Sequence, residues 1–256
     1  LQDRAVRGAL VQATNKKEII EKALGGFGIA VDDPIPPEIL HATPPADRFN
    51  IEAASSTLAK AGWKLNPQTG IREKKESKKP AIPLTFTIST ANTPELAAAA
   101  EIVRAQWRAV GADVRVKTFE IGDLNQNVIR PREYEALLFG EVVGRDPDPF
   151  AFWHSSQRND PGLNIALYAN KTTDKLVEEA RATHNAALRR EKYAAFLDEV
   201  RRDMPAVFLY SPLHLYVTPP GLKGFDTRLI TVPAERFANV HRWYLYTARV
   251  WKIFLK

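Results

Sequence analysis

The chain has 256 residues and a mass of 28.7 kDa, with 45% hydrophobic and 26% charged residues. Those values suit one large or two small globular domains and exclude collagen-like, low-complexity and wholly disordered chains. The absence of cysteine rules out disulfides, cysteine nucleophiles and thiolate metal sites, and no apolar run is long enough to span a membrane. The net charge of +6 is concentrated after residue 200, with a smaller lysine run between Lys74 and Lys79. Neither cluster interleaves basic residues with the stacking aromatics of single-strand binders, so a solvated face plus a basic tail is expected and no nucleic-acid partner, the alternative being a nucleic-acid-binding module through the basic residues of the last 56 positions.

Asp3 to Thr14 has helical spacing, with Val6, Ala9, Leu10 and Ala13 on one face. The single methionine is Met204 and the chain opens at Leu1 inside this helix, which reads as a processed or truncated piece with any secretion signal upstream. Asn15 followed by Glu18 is a capping-box pattern that opens a second helix through Leu24, and Gly25 and Gly26 end it. A proline-rich stretch from Pro34 to Pro45 predicts irregular structure. Asn50 caps a helix from Ile51 to Ala61, which Gly62 stops. The polar segment Asn66 to Lys79 predicts an exposed loop or short hairpin.

Leu84, Phe86 and Ile88 alternate with Thr85, Thr87 and Ser89, the period of a strand. Thr93 and Pro94 then start a helix carrying Leu96, Ala99, Val103, Trp107 and Val110, and Val114 and Val116 begin another strand. Strand, helix, strand in that order predicts a parallel pair. A short helix from Asp123 to Arg130 and a strand from Glu135 to Phe139 extend the unit. Helices over Thr173 to about Ala187 and Arg189 to Asp203 follow, then strands over Ala206 to Tyr210 and His214 to Val217. The class is α/β, or mixed α+β, with a mixed sheet.

The sequence lacks a phosphate loop and a nucleophile elbow, and Gly25-Gly26-Phe27-Gly28 follows a helix rather than a strand. No two of His41, His154, His184, His214 and His241 stand three or four apart, so no helical zinc pair and no metal are expected. Asp146-Pro147-Asp148-Pro149 sets two carboxylates in a stiff loop after a strand, where α/β folds bind ligands. A carboxylate-dependent hydrolase using Asp146 and Asp148 is one reading, and a rigid turn is the plainer one. The same segment brings Trp153, His154, Ser155, Ser156 and Asn164, an apolar face with uncharged hydrogen-bonding groups that suits binding without chemistry. Core packing for Trp153 and a turn role for Asn164 compete with that reading.

Several segments resemble the extracytoplasmic solute-binding proteins of peptide and nickel ABC importers, solute-binding family 5. Asp3-Arg4-Ala5-Val6-Arg7-Gly8-Ala9-Leu10 leading into Asn15-Lys16-Lys17-Glu18, and Phe49-Asn50 with Leu58-Ala59-Lys60-Ala61-Gly62-Trp63, are similar to that family's motifs. Tyr134-Glu135-Ala136, Asp146-Pro147-Asp148, the series Asn164, Tyr168, Asn170, Asp174, and Met204-Pro205 follow in its order. The resemblance implies the C-terminal lobe of a two-lobed periplasmic-binding-protein-like fold (type II, cluster C). Residues 1–220 would form that lobe, and 221–256 would return to the other. It implies a non-enzymatic protein without cofactors, periplasmic or otherwise extracytoplasmic, secreted or lipid-anchored and monomeric. Such a protein would pass a peptide or related solute to an ABC permease in the membrane. Peptide-binding members carry a Trp and an amine-holding Asp where Gly140 and Val143 stand here, and a valine cannot pair with an ammonium. The ligand-contact residues expected by loop position are Glu141, Val143, Arg145, Asp146, Trp153 and Asn164. Taken without an opposing lobe, this piece is expected to bind little.

Overall fold

The computed structural model describes residues 1–36, 47–75, 80–144, 146–225 and 230–245. Helix α1 (Arg4–Gln12) starts where Asp3 Oδ1 accepts the Ala5 N–H at 2.9 Å, and it buries Val6, Ala9 and Leu10. Helix α2 (Lys16–Leu24) starts at Asn15, whose side chain accepts from Glu18 N. The predicted capping box is only half formed. A neighbouring helix supplies the other half, because Gln106 Oε1 accepts the Asn15 N–H at 3.0 Å while its amide nitrogen donates to Glu18 Oε2 at 2.8 Å. Gly25, at φ 60°, ends α2 as expected, and strand β1 (Gly28–Ala30) follows.

Asn50 Oδ1 accepts the Ala53 N–H at 2.7 Å and opens α3 (Ile51–Lys60). The polar segment after it is a hairpin, as one of the two sequence readings had it. Strands β2 (Trp63–Leu65), β3 (Arg72–Lys74) and β4 (Ile82–Pro83) pair antiparallel in that order. Strand β5 (Thr85–Ala91), helix α4 (Pro94–Ala109) and strand β6 (Asp113–Phe119) form the predicted unit, with β5 and β6 parallel over their full length. Thr93 makes no side-chain cap bond, and Pro94 at the first helical position marks the start instead. The helix expected over 123–130 is a one-turn α-helix, α5 (Ile121–Asp123), running into a wider π-turn over Leu124–Ile129. Strand β7 (Ala136–Leu138) joins the other edge of β5, giving a parallel sheet of order β6-β5-β7.

Later in the chain come a short helix α6 (Phe150–Trp153) and a pair of antiparallel-neighbour helices, α7 (Lys171–Ala182) and α8 (Ala186–Asp203). Met204 ends α8 in the left-handed conformation before Pro205. The two strands expected over 206–217 are one: β8 (Tyr210–Pro212) pairs antiparallel with β1, and 214–217 is irregular. Alternation over His214 to Val217 mimics a strand, but Val217 is 94% exposed and Tyr216 stacks on Phe225 and packs at a tilt against Trp243 instead of joining a ladder. The proline-rich loop reading over 37–46 and the aromatic terminus beyond 245 lie outside the described residues.

Two large apolar clusters, and a small third one of Ala91, Leu124, Val128 and Ile129, organise the described residues. The larger joins Val6 and Leu10 of α1, Leu58 of α3, Phe86 and Ile88 of β5, Val103 and Trp107 of α4, and Val114 of β6. The second is built on Trp153, Tyr168, Val177, Phe196 and Val200, with Ile35 inserted from the segment after β1. Arg72 is buried among the first group and donates to Trp63 O at 2.8 Å and Val110 O at 2.7 Å, closing the C-terminal end of α4. Gly111 sits at φ 90° beside it, where a Cβ would come within 2.7 Å of Arg72 Cγ.

Candidate functional site

The carboxyl ends of β5, β6 and β7 face the same way, and the loop that leaves β7 runs from Phe139 to Pro149 across that end. A narrow groove of about 50 Å³ lies between this loop and Pro34–Ile35, lined by Glu141, Val143, Asp146, Asp148 and Phe152. That volume accommodates a water-sized head group rather than a whole solute. A larger open cavity of about 570 Å³ lies between α1 and α3 beside Met204. Among the described residues its lining offers no carboxylate, and none of its polar side chains is buried without a partner.

Each half of the Asp-Pro-Asp-Pro turn is tied down. Asp148 N donates to Asp146 O at 2.9 Å, and Asp148 Oδ1 accepts the Phe150 N–H at 3.1 Å, so the turn also opens α6. Arg181 of α7 reaches Asp148 at 2.9 Å while its guanidinium lies 4.5 Å over the Phe150 ring. Arg189 of α8 pairs with Asp146 at 3.4 Å and donates to Thr183 O at 2.8 Å. Both carboxylates therefore already have a guanidinium partner. Their field converges on Tyr193, whose hydroxyl is pushed up to about 12 by burial and then by Asp148 and Asp146.

Glu141 differs from these two. Solvent reaches the residue, yet desolvation governs its carboxyl and pushes it up to about 7, with the Trp153 indole N–H pulling the other way. No cation among the described residues acts on it. Trp153 is only 5% exposed and packs against Tyr168, Phe196 and Phe208, so its ring is core rather than an open face. Its Nε1 is buried without a hydrogen-bond partner.

Asn164 is fully buried, and its amide is committed to the backbone. It donates to His154 O at 3.1 Å and Tyr168 O at 2.9 Å and accepts the Tyr168 N–H at 3.1 Å. It shapes the loop and presents nothing to the groove. Val143 is half-buried in the groove wall, and Arg145 lies outside the described residues. Thus Glu141, Val143 and Asp146 come together, with Trp153 beneath, while Asn164 stands apart. Sequence reasoning missed Arg181, Arg189 and the Pro34–Ile35 wall, because each reaches the loop across tens of residues with no local signature. Among the described residues no group of His, Asp and Glu is arranged to hold a metal ion.

The described residues form a mixed α/β fold whose parallel sheet is followed, after β7, by the loop that walls the groove, and loops leaving the carboxyl ends of such sheets are where α/β folds take ligands. The sequence profile of the bacterial extracellular solute-binding proteins, family 5 Middle, matches residues 1–163, and the chain belongs to this family. It is 27% identical over 252 residues to the oligopeptide-binding protein AppA of Bacillus subtilis, covering 95% of this chain and 44% of the relative. It is 31% identical over 213 residues to the nickel-binding periplasmic protein of Escherichia coli, covering 80% and 38%. The solved structure of Bacillus subtilis AppA with a nonapeptide superposes with a TM-score of 0.76 at 26% identity, over 96% of this chain and 48% of that one. The chain thus spans about half the length, or less, of these relatives.

Proposed function

We propose that this chain supplies one lobe of the solute-binding component of an ABC importer, which captures a peptide or related solute and hands it unchanged to a membrane permease. The observation that carries the reading is the groove at the strand ends. It is a small, charged recess at the place where an α/β fold binds ligands, in a chain that shares its fold with a peptide-bound relative. Glu141, Val143, Arg145 and Asp146 are its contact residues, Trp153 contributes through the indole N–H beside the Glu141 carboxyl, and Asn164 holds the loop beneath them.

Residues 1–220 form the lobe and 221–256 return to the opposing one. In support, the described residues of 221–225 and 230–245 form short 3₁₀ turns, a bridge between Lys223 and Tyr244 and ring contacts of Trp243 with Phe225 and Phe237, with Val240 and Leu245 open to solvent. Hinge closure of two lobes would desolvate the solute between them. The protein acts as a monomer outside the cytoplasmic membrane. The engaged state of Asp146 and Asp148 favours binding over hydrolysis. For the nucleic-acid reading, Arg236 offers little, since its guanidinium stacks over Phe237 at 4.4 Å and Tyr216 at 5.0 Å.

The test is calorimetric titration of the full-length protein with a defined peptide library, with mass spectrometry of the recovered ligand. Micromolar binding with the ligand recovered intact is expected. No binding by any peptide, or a cleaved product, would overturn the proposal.

A further inference from the structure

We infer that Ile35 sets the size limit of the groove, so that a peptide solute places a glycine or an alanine there and a larger side chain is turned away. The inference rests on the solute-binding reading and adds what decides the selectivity of that site.

Ile35 belongs to two surroundings at once. It lines the groove, yet it is only 2% exposed and packs within the apolar cluster of Trp153, Tyr168 and Phe196. It is therefore a partition between the recess and the core, a place it shares with the half-buried Phe152 of α6. The space left on the groove side is about 50 Å³. An apolar cavity that takes a benzene ring measures about 150 Å³, so an aromatic or a branched side chain enters this recess only by moving a wall.

Both walls are tied down. The segment that carries Ile35 is fastened at three successive residues. Val31 N donates to Leu209 O at 3.2 Å, Lys16 Nζ donates to Val31 O at 2.6 Å and pairs with Asp32, and Arg201 holds both carboxylate oxygens of Asp33. Pro34, next in line, has its φ fixed by its ring. Pro147 and Pro149 stiffen the facing wall, and Arg181 of α7 holds Asp148 between them. A side chain too large for the recess has to displace close-packed core rather than a loose surface loop. Alanine at position 35 would remove an ethyl and a methyl group and extend the recess toward the Trp153 cluster, and valine would remove a single methylene.

The full-length protein would be titrated by calorimetry with penta-alanine and with derivatives carrying leucine or phenylalanine at each position in turn. Expected for the wild type is one position at which either replacement weakens binding about tenfold or more. Ile35→Val should reduce that penalty for leucine, and Ile35→Ala should remove it for leucine and lower it for phenylalanine. Circular dichroism checks the fold of each variant, and Ile35→Val decides the matter if Ile35→Ala does not fold. A wild type that tolerates leucine and phenylalanine at every position, or a leucine penalty that Ile35→Val leaves unchanged, overturns the size limit and leaves the solute-binding reading standing. So does an equal loss of affinity for every peptide in the variants, which marks a residue that only supports the fold. Failure of every peptide to bind the wild type overturns the solute-binding reading and the size limit with it.

Discussion

Arg201 grips Asp33 with two parallel bonds, Nε to Oδ1 at 2.7 Å and Nη2 to Oδ2 at 2.6 Å, across 168 residues of sequence. The pair locks the segment after β1 onto α8 and places Pro34 and Ile35 opposite Glu141. The carboxylate is almost wholly buried, so removing its partner leaves an uncompensated charge. Arg201→Ala is expected to cost about 3 kcal/mol in urea unfolding, since the arginine itself is partly exposed and screened. Arg201→Lys keeps the charge but loses the fork and should fall between wild type and Ala. An Ala variant as stable as wild type would show that the segment is held by packing alone.

Gln106 carries a load out of proportion to its place in the last turn of α4. One side chain accepts from Asn15 N, donates to Asn15 O at 3.2 Å and donates to Glu18 Oε2, so α4 holds the first turn of α2. Gln106→Leu keeps the volume and orphans the Asn15 N–H. A loss of about 1–2 kcal/mol is expected, with hydrogen exchange quickening at the start of α2 before it quickens elsewhere. Uniform exchange across the chain would contradict this link.

Asp203 makes the fold acid-sensitive. Burial alone would raise its carboxyl, but hydrogen bonds from Tyr168 at 2.7 Å and Asn170 at 2.8 Å outweigh that and hold it below the ordinary value of 3.8. A depressed carboxyl stabilises the fold above its unfolded value, and that stability drains away as the pH falls below about 4. Asp203→Asn should therefore be less stable than wild type at pH 7 by about 1 kcal/mol. The gap should narrow toward pH 3 in thermal unfolding, and a constant gap would refute the assignment.

What could be read from the sequence was what is local and periodic. Asn15 and Asn50 announce their helices because a cap acts within three residues. The β5–α4–β6 unit announces itself because its apolar residues repeat at two different periods. Strands of three residues, such as Gly28–Ala30, are too short to show alternation and exist because Tyr210–Pro212 lies beside them. The site divides the same way. The stiff acidic loop was visible from its prolines, but what sets its chemistry was not. Arg189 sits 43 residues from Asp146, and nothing in the sequence separates the carboxylates that have arginine partners from Glu141, on which no cation acts among the described residues.

That difference should also appear in stability without any ligand. A carboxyl raised in the folded state opposes folding once the unfolded chain ionises, so stability is lost as the pH rises from about 4.5 to about 7 and stays lost above. The shift alone would correspond to about 3 kcal/mol; because solvent reaches the residue, a penalty on the order of 1 kcal/mol is expected. Glu141→Gln removes the ionisation and keeps the shape. It should melt higher than wild type at pH 8, by a few degrees, and match it at pH 4. A glutamine variant that melts lower at pH 8 would mean that the carboxylate already has a positive partner in the unliganded protein. A higher melting temperature would identify a residue held at some expense to the fold, as expected of a group kept for binding rather than for stability.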